Sequence, residues 1–105
     1  MTDLTELASA LTADTESAEA RRLLLEYSTE LHAEADAEAQ NGPEASNRAN
    51  IQVAFKLASL YAQVPQCREV ALRGLEDVRL AASQQPSTAD LLAEAIKIID
   101  KLLRE

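Results

Sequence analysis

Aromatic residues and glycine are scarce in this chain of 105 residues, which has three aromatic side chains, no tryptophan and two glycines. Strands favour aromatic and β-branched residues, and tight hairpins depend on glycine, so this composition does not favour a β-rich fold. Alanine and leucine dominate the apolar residues instead. Helices favour these residues together with the long charged ones, so the composition predicts an all-α protein.

A single cysteine and the absence of long apolar runs exclude further classes of protein. Cys67 has no second cysteine with which to form an internal disulfide. The N-terminus lacks the basic region and apolar run of a signal peptide, and no apolar stretch approaches the ~18 residues of a membrane span. We therefore expect a soluble, cytoplasmic protein that does not engage a membrane, and a free thiol suits a reducing compartment.

Basic residues are scarce in the first half of the chain. The net charge is −8, and residues 1–50 carry it, with 11 acidic side chains against Arg21, Arg22 and Arg48. Residues 51–105 contain 7 acidic and 7 basic side chains. Proteins bind nucleic acids mainly through Lys and Arg on phosphates, so we expect no nucleic-acid partner. The length suits one helical domain, residues 1–105.

Apolar residues recur at helical spacing in five segments that are separated by turn residues. Predicted helices span residues 3–13, 15–40, 43–63 and 66–83, and the fifth follows Ser87. Asn41-Gly42-Pro43 gives the clearest boundary, because glycine ends helices and proline cannot continue them. Asp3 and Ser87 are expected to cap the first and last helices, with Glu6 and Asp90 as their partners in capping boxes.

The third predicted helix is apolar around most of its circumference, and only a narrow edge is polar. A helix of this kind is surrounded by others, so we predict a single-domain, five-helix bundle-like fold with residues 43–63 at its centre. Gly74 lies on the apolar face of the fourth helix and predicts a close approach of another backbone. The residues of the third helix that we expect to be deeply buried are Ile51, Phe55, Leu57 and Leu60.

No motif indicates catalysis. His32 and Asp36, one turn apart, supply two metal ligands at most, whereas metal sites need three or four. Cys67 begins the fourth helix, where a helix N-terminus favours the reactive thiolate, but it also lies on an apolar stripe, which is typical of a buried structural cysteine. We therefore expect no enzyme activity, no catalytic or metal site and no cofactor.

The second predicted helix carries the one charged pattern that local stability does not explain. Like charges four residues apart destabilise a helix by about 0.2–0.5 kcal/mol per pair. The pattern is either a solvated helix end or a surface for a basic protein or peptide. If its carboxylates only repel one another, Glu30→Lys should raise the melting temperature. We name as the acidic strip the residues Glu26, Glu30, Glu34, Asp36 and Glu38.

Part of the chain repeats with a period of 34 residues. Leu23, Leu57 and Leu91 have this spacing, and Ala20/Ala54 and Tyr27/Tyr61 repeat likewise. The pattern resembles tetratricopeptide repeats, which are pairs of helices with this period. The resemblance implies packed helix pairs, the best match being the segment from Leu57 to Ala71. The chain departs from that family because nothing breaks the helix after Tyr27.

The segment from Ser87 to Arg104 has a cap, a clean apolar stripe and cations in its last turn. With the short proline-bearing linkers, it resembles computationally designed helical proteins assembled from fragments of natural ones. That resemblance implies a designed or structural scaffold with no intrinsic biochemical activity and no required partner. The alternative is a small helical interaction module that binds a basic partner through the acidic strip, and an enzyme ranks third.

Overall fold

The computed structural model describes every residue from Met1 to Glu105 and contains five α-helices and no strands. One turn of 3₁₀ helix, Pro65–Cys67, precedes the fourth helix, and another, Pro86–Thr88, precedes the fifth. The prediction of an all-α, five-helix fold is therefore confirmed. None of the helices is long and apolar enough to cross a membrane. The helices are α1 (Leu4–Ala13), α2 (Ala18–Ala39), α3 (Pro43–Tyr61), α4 (Arg68–Ala82) and α5 (Ala89–Arg104).

Side chains and one glycine fix where the first three helices begin. Asp3 Oδ1 accepts the N–H groups of Thr5 at 2.9 Å and Glu6 at 3.2 Å, which confirms the predicted cap of α1. Ser17 Oγ accepts the N–H of Ala20 at 3.1 Å, so α2 begins later than the predicted residue 15. Gly42 precedes α3 with a φ of 114°, a conformation that residues with a Cβ rarely adopt.

The predicted cap of α5 by Ser87 is wrong. Pro86 begins a 3₁₀ turn that includes Ser87, and the residue that directly precedes α5 is Thr88. Thr88 is fully buried, and its hydroxyl donates to the carbonyls of Ala82 at 2.7 Å and Gln85 at 2.9 Å. The hydroxyl therefore ties the end of α4 to the linker instead of capping α5.

Helix α3 packs against each of the other four helices, and two apolar clusters lie on different sides of it. It contributes Leu60 to one cluster and Ile51 and Ala58 to the other, which agrees with its predicted central position. The N-terminal cluster consists of Leu7, Leu11, Ala20, Leu23, Tyr27, Leu31, Leu60 and Val64. The C-terminal cluster consists of Ile51, Ala58, Ala71, Leu75, Val78, Ala82, Leu91, Ala95, Ile99 and Leu102.

Two of the four residues expected to be deeply buried in α3 are only half-buried. Ile51 and Leu60 are buried as predicted, whereas Phe55 and Leu57 lie at the edges of the clusters. The cause is the flat shape of the molecule, 39 × 33 × 16 Å, in which each helix packs mainly on its neighbours in sequence. For the same reason several large apolar side chains are exposed, namely those of Leu25, Val70, Ile96 and Leu103.

The close approach predicted at Gly74 is confirmed. A Cβ built on Gly74 would lie 3.1 Å from the Cβ of Ala58, which is tighter than an ordinary van der Waals contact. Two small residues thus face each other where α4 crosses α3. Their contact brings the two helices together inside the C-terminal cluster, of which Ala58 is a member.

Candidate functional site: the α2–α3 groove

Two neighbouring clefts lie between α2 and α3 and share Leu31, Glu34 and Lys56. The loop-side cleft, about 330 Å³, extends toward the α2–α3 loop, and the second cleft, about 430 Å³, extends toward the start of α1. We call the two together the α2–α3 groove. Their volumes lie in the range of known ligand sites, about 300–1,000 Å³.

The lining of the α2–α3 groove includes a series of apolar side chains. In the loop-side cleft these come from Ala35 on α2 and from Ala49 and Val53 on α3. In the second cleft they include Tyr27 and Phe55, which are two of the three aromatic residues in the whole chain. The groove therefore offers apolar surface to an occupant along both of its parts.

The structure divides the acidic strip in two. Glu30 and Glu34 line the second cleft, and Glu34 and Glu38 line the loop-side cleft. These three lie one turn apart and so form one row along α2. Asp36 is two residues from Glu34 and Glu38, which is a rotation of about 200° around the helix. It therefore lies on another face of α2 and lines neither cleft. Glu26 lies outside the groove as well.

Basic residues partner two members of the strip. Arg22 Nη1 lies 3.0 Å from Glu26 Oε1 on the same helix, and Lys56 Nζ lies 3.4 Å from Glu34 Oε2 across the groove. Both carboxylates are more than half exposed, at 51% and 65%. Exposed pairs of this kind contribute about 0–1 kcal/mol, so a partner's cation could displace Lys56 at small cost.

Glu30 has a favourable contact that local sequence does not indicate. The N–H of Thr2 donates to its Oε1 at 2.7 Å and its Oε2 at 3.2 Å, and the nitrogen of Met1 lies 3.7 Å from Oε1. Hydrogen bonding from Thr2 holds the pKa of the Glu30 carboxyl below its usual value. The expectation that Glu30 makes only repulsive contacts is therefore wrong, and Glu30→Lys is now expected to lower the melting temperature.

Tyr27 lines the second cleft together with Glu30 and Glu34. Only 9% of the residue is exposed. Burial raises the pKa of its phenol, and the negative charges of Glu34 and Glu30 raise it further. The phenol therefore interacts electrostatically with both carboxylates. The sequence indicated Tyr27 only as part of the 34-residue period and not as a residue of a site.

The two other residues considered for chemistry lie apart from the groove. His32 is exposed, and its Nδ1–H donates to the carbonyl of Ser28 at 2.7 Å in its own helix. Cys67 is half-buried at the end of a 3₁₀ turn and packs against the N-terminal cluster. Neither residue lines the two clefts. No cluster of three or more His, Cys, Asp or Glu side chains is arranged to hold a metal ion.

The sequence also contains no indication of a bidentate ion pair between Arg48 on α3 and Asp90 on α5. Arg48 donates from Nη1 and Nη2 to the two carboxylate oxygens of Asp90, both at 2.7 Å, and from Nη1 to the carbonyl of Ser87 at 2.7 Å. Hydrogen bonding from Arg48 lowers the pKa of Asp90 to about 2. The partners are 42 residues apart, so no local spacing could have indicated the pair.

The groove is thus the one place where several predicted residues of the acidic strip meet apolar surface. Its three carboxylates face two groove-lining cations, Lys56 and the N-terminal ammonium of Met1. This leaves an excess of negative charge along the groove. The chain matches no protein-family model, and comparisons with curated proteins and with solved structures also find no match.

Proposed function

We propose that this chain is a helical interaction module whose α2–α3 groove binds a basic peptide segment of a partner protein. The observation that supports the proposal is the row of Glu30, Glu34 and Glu38 along a groove with apolar walls. Apolar surface supplies binding energy when it is covered, and a row of one charge selects partners of the opposite charge. No chemical step is part of this function.

The spacing of the carboxylates matches the spacing of side chains in a peptide. Residues four apart on a helix are about 6 Å apart along its axis. A helical partner with basic residues one turn apart presents cations at the same interval, with apolar residues between them for the groove. The excess negative charge would also speed association, because complementary charge steers the encounter of two molecules.

A pair of synthetic peptides tests the proposal. One is an amphipathic helix with Lys on its polar face and Leu on its apolar face, and the other has Glu in place of every Lys. Titration calorimetry should detect binding of the Lys peptide and none of the Glu peptide. The affinity for the Lys peptide should fall as sodium chloride is added, since salt screens exposed charges.

Two variants of α2 locate the binding surface. Glu38→Gln and Asp36→Asn each remove one negative charge, but only Glu38 lines the groove. Glu38→Gln should weaken binding of the Lys peptide by about 1.5- to 5-fold, the range for one exposed charge, and Asp36→Asn should leave it unchanged. Equal effects would mean that only net charge matters. No binding of the Lys peptide at low salt would favour the scaffold hypothesis, in which the chain needs no partner.

A further inference from the structure

The second cleft differs chemically from the rest of the groove. Tyr27 and Phe55 supply aromatic rings, and Glu30 and Glu34 supply carboxylates at the same cleft. The loop-side cleft has carboxylates but no aromatic residue. Aromatic faces and carboxylates both attract cations, the first through the ring quadrupole and the second through charge. The combination is specific to one end of the groove.

A guanidinium group fits this combination better than an ammonium group does. It is planar and presents five N–H donors in a fixed fork, so it can donate to a carboxylate with two bonds and still stack on a ring. An ammonium is compact and strongly hydrated, and it loses more on leaving water. The methylene stem of an arginine would also cover part of the exposed side chain of Leu4, which lines the same cleft.

We propose that the second cleft, named here the anchor cleft, binds one arginine side chain of the partner, between the carboxylates of Glu30 and Glu34 and against the half-buried ring of Phe55. This inference rests on the proposed function, because it identifies the residue through which a basic peptide is anchored. The volume of about 430 Å³ accommodates a single long side chain with room to spare. The guanidinium takes the place of Lys56 at Glu34, whose side chain is 65% exposed in the present 3.4 Å pair, while Glu30 keeps its hydrogen bond from Thr2.

Peptide variants test the chemical class of the anchor. The probe is the Lys/Leu helix of the preceding experiment with one Lys replaced by Arg at the position that gives the greatest gain in affinity. The arginine should improve the affinity by about 2- to 5-fold over the all-Lys peptide, the gain expected from stacking on an aromatic ring. Citrulline, which has the same shape without the charge, should bind more weakly than either cation.

Two protein variants test the position. Lys56→Met keeps the length of the side chain and removes the resident cation, so it should strengthen binding of the arginine peptide. Phe55→Leu removes the half-buried aromatic ring of the cleft and keeps an apolar side chain, so it should weaken the preference for Arg over Lys. Asp36→Asn serves as the control that changes the charge of α2 away from the cleft. Circular dichroism melts establish that each variant is folded.

A spectroscopic signal separates an arginine in the cleft from one elsewhere. The tyrosinate absorbance of Tyr27, resolved in a Tyr61→Phe variant, follows the ionisation of its phenol. The charges of Glu34 and Glu30 contribute to its raised pKa, so a bound guanidinium should lower that pKa toward its ordinary value. If Arg and Lys peptides bind with equal affinity and the Tyr27 absorbance does not change, the proposal of an arginine in the anchor cleft is wrong. The proposal that the groove binds a basic peptide is not affected by that result. If no basic peptide binds, the proposed function itself fails.

Discussion

Thr88 is a polar residue that the fold buries completely, and it shows how one hydroxyl can hold a junction between helices. It donates to two carbonyls, one at the end of α4 and one in the linker that follows. The apolar periodicity of α5 predicts that the position is buried, but it does not predict the hydroxyl's role. Each of the two carbonyls also accepts a backbone N–H, from Gln85 at 3.4 Å and from Thr88 at 3.2 Å, so loss of the hydroxyl removes a hydrogen bond without leaving either carbonyl unpaired.

Thr88→Val should therefore destabilise the protein although it preserves the shape of the side chain. We expect a loss of about 0.5–1.5 kcal/mol in the free energy of unfolding, the net contribution of one hydrogen bond, measured by urea denaturation. Thr88→Ser keeps the hydroxyl and removes only a methyl group, so it should cost less than Thr88→Val. The opposite ranking would show that the methyl group, rather than the hydrogen bonds, makes Thr88 important.

Asp90 should make the stability depend on pH in acid. Its pKa is lowered from 3.8 to about 2, so its contribution is present above the ordinary value and is lost as the pH falls through about 2. Asp90→Asn should melt at a lower temperature than the parent protein at neutral pH, and this difference should vanish near pH 2. Thermal melts across this range provide the measurement.

Asp100→Asn is the matched control for that experiment. Asp100 lies 2.9 Å from Arg104 in an exposed pair within α5, and such pairs contribute little. Its loss should change the melting temperature only slightly at any pH. A difference between Asp90→Asn and the parent that persisted unchanged into acid would contradict the role assigned to Arg48.

Among the secondary-structure elements, α3 and α4 are brought into close contact by Ala58 and Gly74. Glycine inside a helix costs about 1 kcal/mol relative to alanine, yet a Cβ at Gly74 would crowd that of Ala58 at 3.1 Å. Gly74→Ala alone should therefore gain clearly less than about 1 kcal/mol. In an Ala58→Gly background, where the crowding atom is absent, the same change should give the full gain.

A double-mutant cycle measured by urea denaturation isolates this coupling. Ala58→Gly alone should be destabilising, because it removes a buried methyl group and adds a glycine to a helix. Strictly additive effects of the two changes would mean that α3 and α4 relax freely and that the contact does not set their distance.

The elements were largely predictable because their signals are local. Asn41-Gly42-Pro43, Pro65 and Pro86 interrupt the apolar periodicity, and helices end or begin at each of them. The error at α5 arose because Pro86 starts a 3₁₀ turn before the helix, and cap patterns do not distinguish the two. Periodicity does not explain why Val70 and Ile96 are exposed, since it shows which side of a helix is apolar but not whether a neighbour covers that side.

The candidate site was predictable only in part. The spacing of Glu30, Glu34 and Glu38 implies that they share a face, and all three line the groove. That this face borders Phe55 and Lys56 depends on how α3 packs, which helical periodicity does not fix. The bond from Thr2 to Glu30 joins residues 28 apart and has no local signature.

At the scale of the whole molecule, the negative charge of residues 1–50 should limit stability at low salt, except where a carboxylate has a partner. Asp36→Lys should raise the melting temperature, because it reduces the excess charge and places a cation near the C-terminus of α2. Glu30→Lys should lower it, because it removes the acceptor of the Thr2 N–H. Differential scanning calorimetry measures both variants.

Salt should reduce the stabilising effect at Asp36 more than the loss at Glu30. The Debye length falls from ~10 Å at 0.1 M salt to ~3 Å at 1 M, which screens long-range repulsion between exposed charges. Hydrogen bonds within contact distance are screened less. If Glu30→Lys raised the melting temperature as much as Asp36→Lys, Glu30 would have no favourable contact with the start of the chain.

Leu60 and Val64 complete the N-terminal cluster, although they lie beyond the two helices that supply the rest of it. A ribosome makes α1 and α2 well before these two residues. Until they emerge, Leu7 and Leu11 lack part of the apolar surface that buries them in the finished protein. The nascent α1–α2 pair therefore exposes apolar surface until α3 has been translated. Once α3 follows, it both closes this first half and offers Ile51 and Ala58 as the base on which α4 and α5 assemble.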